Sequence, residues 1–238
     1  MAKETKLTFE RFEKKYVLTK EQYDAFMAVA SEHLVPDVYH KSLVMSIYYD
    51  TDDFDLIRHS IEGPVYKEKL RVRSYGIPSD DSSVFVELKK KYKGVVYKRR
   101  VEMTNRQAED WLSGEKAPPE DTQITREISW FLKQNEVSPK AFICAERTSW
   151  VDRDDEELRF TFDEAIRWRE DELSLPKGDH GKDLLEENII LMEIKIPGSA
   201  PLWLCHLLSN EDIFPQTYSK YGNCYKEELI NRRFKNVK

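Results

Sequence analysis

Lys69-Leu70-Arg71-Val72-Arg73 is the stretch that decides how the rest of this sequence is interpreted. Successive side chains of a β-strand point to opposite faces, so Leu70 and Val72 lie on one face and the three cations on the other. Three cations on one face of a strand predict either a site for a polyanion or a face that is exposed to solvent. The patterns of the other strands bear on this choice.

The composition places these cations in an acidic chain. The 238 residues include 38 Lys and Arg against 44 Asp and Glu, for a formal net charge of -6. This balance argues against general nucleic-acid binding, so any anion site must be local. No run of about 18 apolar residues and no signal peptide occurs, which predicts a cytoplasmic chain without a membrane segment. The three cysteines are too widely spaced for a zinc site or a disulfide framework.

Alternating apolar and polar residues predict eight β-strands. These strands are expected at residues 7–18, 43–50, 65–75, 84–91, 95–103, 141–151, 158–166 and 189–196. Helical spacing and caps predict helices from Thr19 to about Pro36, at 50–58, from the cap Asn105, at 122–134, at 201–208 and at 223–234. The charged segment 170–187 is interpreted as a surface excursion. No repeat or linker interrupts these elements, so we expect a single domain over residues 1–238.

Eight antiparallel strands can close into a barrel, which removes the two exposed edges of an open sheet. The amphipathic helices would then cover the apolar face from outside and turn the charged face inward. The predicted fold is therefore of the α+β class, an eight-stranded antiparallel β-barrel tunnel with helices packed outside.

Charged residues share one face on most of the predicted strands. They are Arg11, Glu13, Lys15, Lys69, Arg71, Arg73, Glu87, Lys89, Lys98, Arg100, Arg147, Arg159, Asp163, Glu193 and Lys195. The solvent-exposed face of an antiparallel sheet would also alternate in this way. Against this alternative, several strands place Arg or Lys there almost exclusively in a chain that is acidic as a whole. Inward-facing cations need counter-charges, and phosphate chains supply them.

Three carboxylates lie in phase with these cations. Glu13, Glu87 and Glu193 come from three different strands, and hard oxygen ligands of this kind bind Mg²⁺ or Mn²⁺. A bound metal would neutralise charge that develops in phosphoryl transfer. An ion pair with a neighbouring cation is the alternative role for each of the three.

Seven segments together carry a family resemblance. They are residues 11–16, 69–75, 86–89, 147–148, 159–163, 191–195 and 219–221, and they occur in order within about residues 7 to 232. In this order they resemble the VTC domain, the catalytic domain of the polyphosphate polymerase of the vacuolar transporter chaperone. That domain is a member of the triphosphate tunnel metalloenzyme (CYTH-like) superfamily.

The resemblance implies an ATP–polyphosphate phosphotransferase that moves the γ-phosphate of ATP onto a growing polyphosphate chain with Mn²⁺ or Mg²⁺. It implies that phosphates are held by Lys15, Arg71, Arg73, Lys89, Arg147, Arg159 and Lys220, and that Glu193 binds the metal. Only the resemblance assigns Lys220. The alternation adds Arg11, Lys69, Lys98, Arg100 and Lys195 as phosphate-binding residues, and Glu13 and Glu87 as metal ligands. The expected partners are ATP and polyphosphate or orthophosphate, without nucleic acid.

The first strand departs from the pattern of the hydrolytic superfamily members. Those members carry Glu-x-Glu-x-Lys, whereas this chain has Arg11-x-Glu13-x-Lys15. Exchanging an acid for a cation disfavours attack by water and favours retention of a phosphate acceptor, which supports a transferase. A nucleotide or inorganic triphosphatase and a non-catalytic polyphosphate-binding module are the alternatives. The sequence leaves the oligomeric state and the identity of the metal open.

Overall fold

The fold combines one large antiparallel β-sheet with α-helices. The computed structural model describes residues 11–93 and 95–229, without the side chains of Arg11 and of residues 227–229. This part of the chain forms two compact units. Unit 1 contains residues 11–42, 146–165 and 185–218, and unit 2 contains residues 43–145, 166–184 and 219–229. Each unit is thus assembled from segments that are distant in sequence.

The elements follow one another along the chain with short connections. They are β1 (Arg11–Thr19), α1 (Lys20–Ala30), β2 (Leu34–Asp50), α2 (Asp55–Ile61), β3 (Tyr66–Tyr75), β4 (Ser83–Tyr92), β5 (Val95–Thr104), α3 (Asn105–Leu112), α4 (Gln123–Gln134), β6 (Ser138–Asp152), β7 (Arg159–Arg169), a 3₁₀ turn (Leu175–Lys177), β8 (Lys182–Asp183), β9 (Ile189–Pro197), α5 (Leu202–Asn210), α6 (Lys220–Asn223) and a π-helical turn (Cys224–Leu229). Every helix in the described part of the chain is too short or too polar to span a bilayer.

The strands are hydrogen-bonded in the order β1-β9-β7-β6-β2-β3-β4-β5, and β8 pairs with β7. Within the described residues, β1 and β5 are the two ends of this order and are not paired with each other. The prediction that the strands close into a barrel is therefore wrong. The reason is physical, because alternation and strand number are satisfied equally well by an open and by a closed sheet. The large antiparallel sheet and its covering helices are confirmed.

The largest error in the predicted elements concerns the start of β2. This strand begins at Leu34 rather than at residue 43, so α1 ends at Ala30 and Pro36 lies in a strand. Proline has no backbone N–H to donate, and residue 36 lies outside the pairing of β2 with β3, which involves residues 44–49.

Smaller corrections apply at the element ends. The cap of α3 is Thr104 rather than Asn105, and Gln107 completes its capping box. The short strand β8 and its pairing with β7 were not predicted. Residues 7–10 of the first predicted strand and 230–234 of the last predicted helix lie outside the described residues.

Each unit has its own apolar core on one face of its strands. In unit 1, α1 and α5 cover β7 and β9, and Phe26, Phe160 and Phe162 are fully buried there. In unit 2, residues of α3 and α4 pack against Leu70 and Val72 of β3. Burying such side chains stabilises the fold by about 1.5–3 kcal/mol each. In unit 2 the cations that alternate with Leu70 and Val72 on β3 are therefore on the face opposite α3 and α4.

A buried arginine holds the segment after β7, which the sequence suggested is a surface excursion. Arg169 is 4% exposed, and its guanidinium donates hydrogen bonds to the carbonyl oxygens of Glu172, Ser174, Gly178 and His180. The guanidinium carbon lies 3.6 Å from the ring centroid of Phe142 in the core of unit 2. Arg169 thus links the backbone of the loop to the core, in which Leu175 of the same loop is also buried.

We expect Arg169→Lys to lower the free energy of unfolding by about 2–4 kcal/mol, because an ammonium cannot reproduce the planar fork and leaves several of these carbonyl oxygens without a donor. Arg126→Lys is the matched control, since Arg126 makes an exposed ion pair with Asp121 and its replacement should cost less than about 0.5 kcal/mol. Urea denaturation of both variants measures the difference. Equal effects would show that the carbonyl contacts do not stabilise the loop.

Candidate functional site

In unit 2 the strand registers bring predicted site residues into adjacent rows. From β3 through β4 to β5, the rows are Lys69–Lys89–Lys98, Arg71–Glu87–Arg100 and Arg73–Phe85–Glu102. Like charges directly opposite one another destabilise a sheet, so a row of three lysines is costly without a counter-charge. We call the charged members of these rows the unit 2 cluster.

Glu87 is the counter-charge at the centre of the unit 2 cluster. Its side chain is 1% exposed, and its Oε2 lies 2.7 Å from both Nε and Nη2 of Arg71. Its Oε1 lies 2.6 Å from Lys98 Nζ and 3.3 Å from Arg100 Nε. Burial alone would raise the pKa of Glu87, but the charges of Arg71, Arg73 and Lys98 outweigh burial and lower the pKa to about 2. These contacts favour the ion-pair role of Glu87 over the predicted role as a metal ligand.

Three cations of the unit 2 cluster also have neutral hydrogen-bond partners. Arg71 Nη1 donates to Tyr48 Oη at 3.2 Å, and Arg73 Nε donates to Ser46 Oγ at 3.3 Å. Lys69 Nζ donates to Ser219 Oγ at 3.2 Å, which brings the cap of α6 to the cluster. Lys220, which only the family resemblance assigned to the site, is the first residue of α6. It therefore directly follows Ser219, the residue that contacts Lys69.

Sequence reasoning missed the neutral residues of this site, above all Tyr48 and Ser46. The search followed charged side chains, and between residues 43 and 49 of β2 there are none. A signal was present, because residues 46, 48 and 50 alternate on one face of a strand in the same way as the cations of β3. Including tyrosine and serine in the pattern would have found them.

In unit 1 the registers place a second charged group on β1, β9 and β7. Its rows are Lys15–Glu193–Thr161 and Glu13–Lys195–Arg159. Lys15 Nζ lies 3.7 Å from Glu13 Oε1 and 3.8 Å from Glu193 Oε2, and it donates to the carbonyl oxygen of Tyr218 at 3.1 Å. Lys195 Nζ lies 3.7 Å from Glu193 Oε1. One ammonium therefore lies near two carboxylates.

Arg147 and Arg159 of unit 1 differ in how firmly they are held. Arg147 Nε and Nη2 donate to the two oxygens of Asp163 at 2.6 and 2.7 Å, and Asp163 is 2% exposed. Arg159 is 45% exposed, and its Nε donates to the carbonyl oxygen of Glu156 in the turn before β7. Arg147 is the more rigidly placed of the two. The side chain of Arg11 lies outside the described part of the structure.

The predicted metal ligands fit only in part. Among the described residues, no group of three or more His, Cys, Asp or Glu side chains is arranged to hold a metal ion. Mg²⁺ is usually held by one or two carboxylates together with substrate phosphates and waters. Glu13 and Glu193 fit this pattern, because both approach Lys15 and are 36% and 18% exposed.

Solved structures resemble this fold at low sequence identity. A provisionally named adenylate cyclase from Bacillus halodurans has a TM-score of 0.54 and 14% identity, over 87% of this chain and 92% of that chain. A provisionally named adenylyl cyclase from Hippeastrum with dominant triphosphatase activity has a TM-score of 0.49 and 16% identity, over 88% and 92% of the two chains. At such identities, the first likeness shows the fold alone. A search of curated proteins found no match.

The family comparison is more specific than the structural one. The VTC domain matches residues 10–228, a range that includes segments of both units and all seven motifs. This span is nearly the whole chain. The protein therefore belongs to the VTC domain family.

Proposed function

We propose that this protein is a metal-dependent polyphosphate polymerase that transfers the γ-phosphate of ATP to a growing polyphosphate chain. The observation that carries the proposal is that two arginines of this VTC domain are held in a fixed orientation by buried carboxylates. Arg71 is fixed by Glu87 in unit 2, and Arg147 by Asp163 in unit 1. Both arginines take part in the proposed activity.

The cations bind phosphate oxygens and stabilise the charge that moves between them. The attacking oxygen belongs to a phosphate group, so the protein supplies position and charge rather than a nucleophile. A guanidinium that is already oriented costs little entropy on binding, and its planar fork matches two phosphate oxygens. Arg71 and Arg147 are the best placed for this role, because a carboxylate fixes each guanidinium at two nitrogens.

Glu13 and Glu193 are the residues that would hold the divalent ion. When bound, such an ion neutralises negative charge on the phosphates. Lys15 lies within 4 Å of both carboxylates, so its ammonium balances their charge and orients them. Arg11 stands where hydrolytic members of the superfamily carry a glutamate, which favours a phosphate acceptor over water.

The proposal predicts the product of the reaction. Purified protein incubated with ATP and Mn²⁺ or Mg²⁺ should release ADP and form polyphosphate, which phosphorus NMR detects as bridging phosphate groups. Arg71→Ala and Arg147→Ala should each lower kcat/KM by about 100-fold or more, because each removes an oriented charge from the transition state. Arg126→Lys, far along the sequence from both motifs and exposed, is the control with unchanged activity.

Other products would select another function. Orthophosphate without polymer would overturn the polymerase assignment in favour of a triphosphatase. Binding of tripolyphosphate without turnover would favour a non-catalytic binding module.

A comparison of two glutamates separates the metal ligand from the counter-charge. We expect Glu193→Gln to raise the metal concentration for half-maximal activity by about tenfold or more, since ligand carboxylates determine the affinity for Mg²⁺ and Mn²⁺. Glu87→Gln should instead lower the free energy of unfolding by about 3 kcal/mol, because it leaves cations without their buried partner. Metal titrations and urea denaturation of both variants measure these effects.

The pH dependence of stability gives an independent test of Glu87. Its pKa is lowered from 4.5 to about 2, so its ionised form stabilises the fold fully above pH 4.5, and this contribution is lost as the pH falls toward 2. Glu87→Gln should lack this part of the acid transition. A Glu87→Gln variant with normal stability and a raised metal requirement would show that Glu87 is a metal ligand instead.

A further inference from the structure

Tyr48 completes the set of contacts that fixes Arg71. It lies on β2 directly opposite Arg71 in the register and is 5% exposed. The Arg71 guanidinium donates through Nε to Glu87 Oε2, and its Nη2 lies 2.7 Å from the same oxygen. On the other side, Nη1 donates to Tyr48 Oη at 3.2 Å. The phenol of Tyr48 is thus the second group, after Glu87, that fixes the side chain of Arg71, a residue predicted to bind phosphate.

The ring of Tyr48 is itself held in place by Tyr221 of α6. The two rings are stacked, with centroids 4.8 Å apart and an angle of 12° between their planes. Tyr221 Oη donates to Asp50 Oδ2 at 3.0 Å, and Asp50 is fully buried. Asp50 also accepts hydrogen bonds from the backbone N–H groups of Thr51, Leu56 and Ile57. Tyr48 is therefore held against a rigid neighbour.

The charges around Tyr48 within unit 2 are mostly positive. The ammonium of Lys69 lies 5.8 Å from the ring centroids of both Tyr48 and Tyr221, and the guanidinium carbon of Arg71 lies 5.9 Å from the Tyr48 ring. Arg73 lies in the adjacent row of β3, opposite Ser46. The acidic groups in this region are Glu87 of β4, which binds Arg71, and Asp50 of β2, which binds Tyr221.

The pKa values of the two stacked phenols are therefore shifted in opposite directions. Burial and the charge of Asp50 raise the pKa of Tyr221. Burial also favours a high pKa for Tyr48, but the charges of Arg71, Lys69 and Arg73 outweigh it and lower the pKa of Tyr48 to about 7. Of the pair, only Tyr48 changes its charge near neutral pH.

We propose that Tyr48 is a positioning residue of the phosphate site, whose oxygen takes the place of an anion beside Arg71 and Lys69 until a phosphate group binds. This inference rests on the proposed function, because it requires phosphate to be the ligand of Arg71. A bound phosphate brings negative charge to the same cations, so the Tyr48 phenolate takes up one proton from solvent and becomes a hydroxyl. Binding above neutral pH is then coupled to the uptake of one proton.

Tyrosinate absorbance in the near ultraviolet tests the protonation step directly. The chain contains 12 tyrosines, and the difference between wild type and Tyr48→Phe isolates one of them. We expect one tyrosinate to form near pH 7 in wild type and to be absent from Tyr48→Phe. Tripolyphosphate added at about pH 8 without metal should remove this signal, because bound phosphate raises the pKa of the phenol.

Two further tyrosine variants serve as controls. Tyr221→Phe keeps the stacked ring and should keep the signal. Burial favours a high pKa for Tyr75, but Arg73 and Arg100 lower it, so Tyr75→Phe tests whether this tyrosine is the source instead. Loss of the signal in Tyr75→Phe with its retention in Tyr48→Phe would overturn the proposal.

The affinity for tripolyphosphate gives a second readout. In wild type the dissociation constant should rise up to tenfold for each pH unit above about 7 relative to Tyr48→Phe, since one proton is taken up on binding. An equal pH dependence in both proteins would overturn the proposal. These measurements use neither metal nor turnover, so they can fail while polymerase activity is present, and they can succeed if turnover is absent.

Discussion

The buried carboxylate of Glu87 allows Arg71, Lys98 and Arg100 to share one face of three adjacent strands. Without it, neighbouring cations in the same rows would repel one another in a partly buried setting. The position of Glu87 follows from the core on the opposite face, because a slip of one residue in β4 would exchange Glu87 with Val86 or Leu88. Apolar packing thus sets the register, and the register creates the charged site.

Unit 1 also has a buried carboxylate that binds an arginine. Asp163 is buried on β7 and binds Arg147 of β6 through both of its oxygens. In both units a carboxylate restrains the arginine in one geometry before any ligand is present. A site whose charges are oriented in advance loses little energy to rearrangement when substrate charge develops. This shared feature explains how a chain with an acidic net charge holds oriented local groups of arginines.

The sequence predicted the strands and their charged faces because both depend on a period of two that is visible in the residues themselves. The alternation did not distinguish the surroundings of Glu87 from those of Glu193, since these depend on which cations lie opposite, and register is a property of pairing. Closure was mispredicted because it requires an edge pairing that alternation does not encode. Tyr48 was missed because its part in the site comes from the cations around an uncharged side chain.

The carboxylates of Glu87, Asp163, Glu13 and Glu193 differ in burial and in their distances to cations. Glu87 and Asp163 are 1% and 2% exposed and contact cations at 2.6 to 2.7 Å, so their charge is committed to the protein. Glu13 and Glu193 are more exposed, and their ammonium contacts of 3.7 to 3.8 Å are too long for close hydrogen bonds. Burial and distance therefore distinguish Glu87 and Asp163, which contact their cations closely, from Glu13 and Glu193, whose contacts with Lys15 are longer.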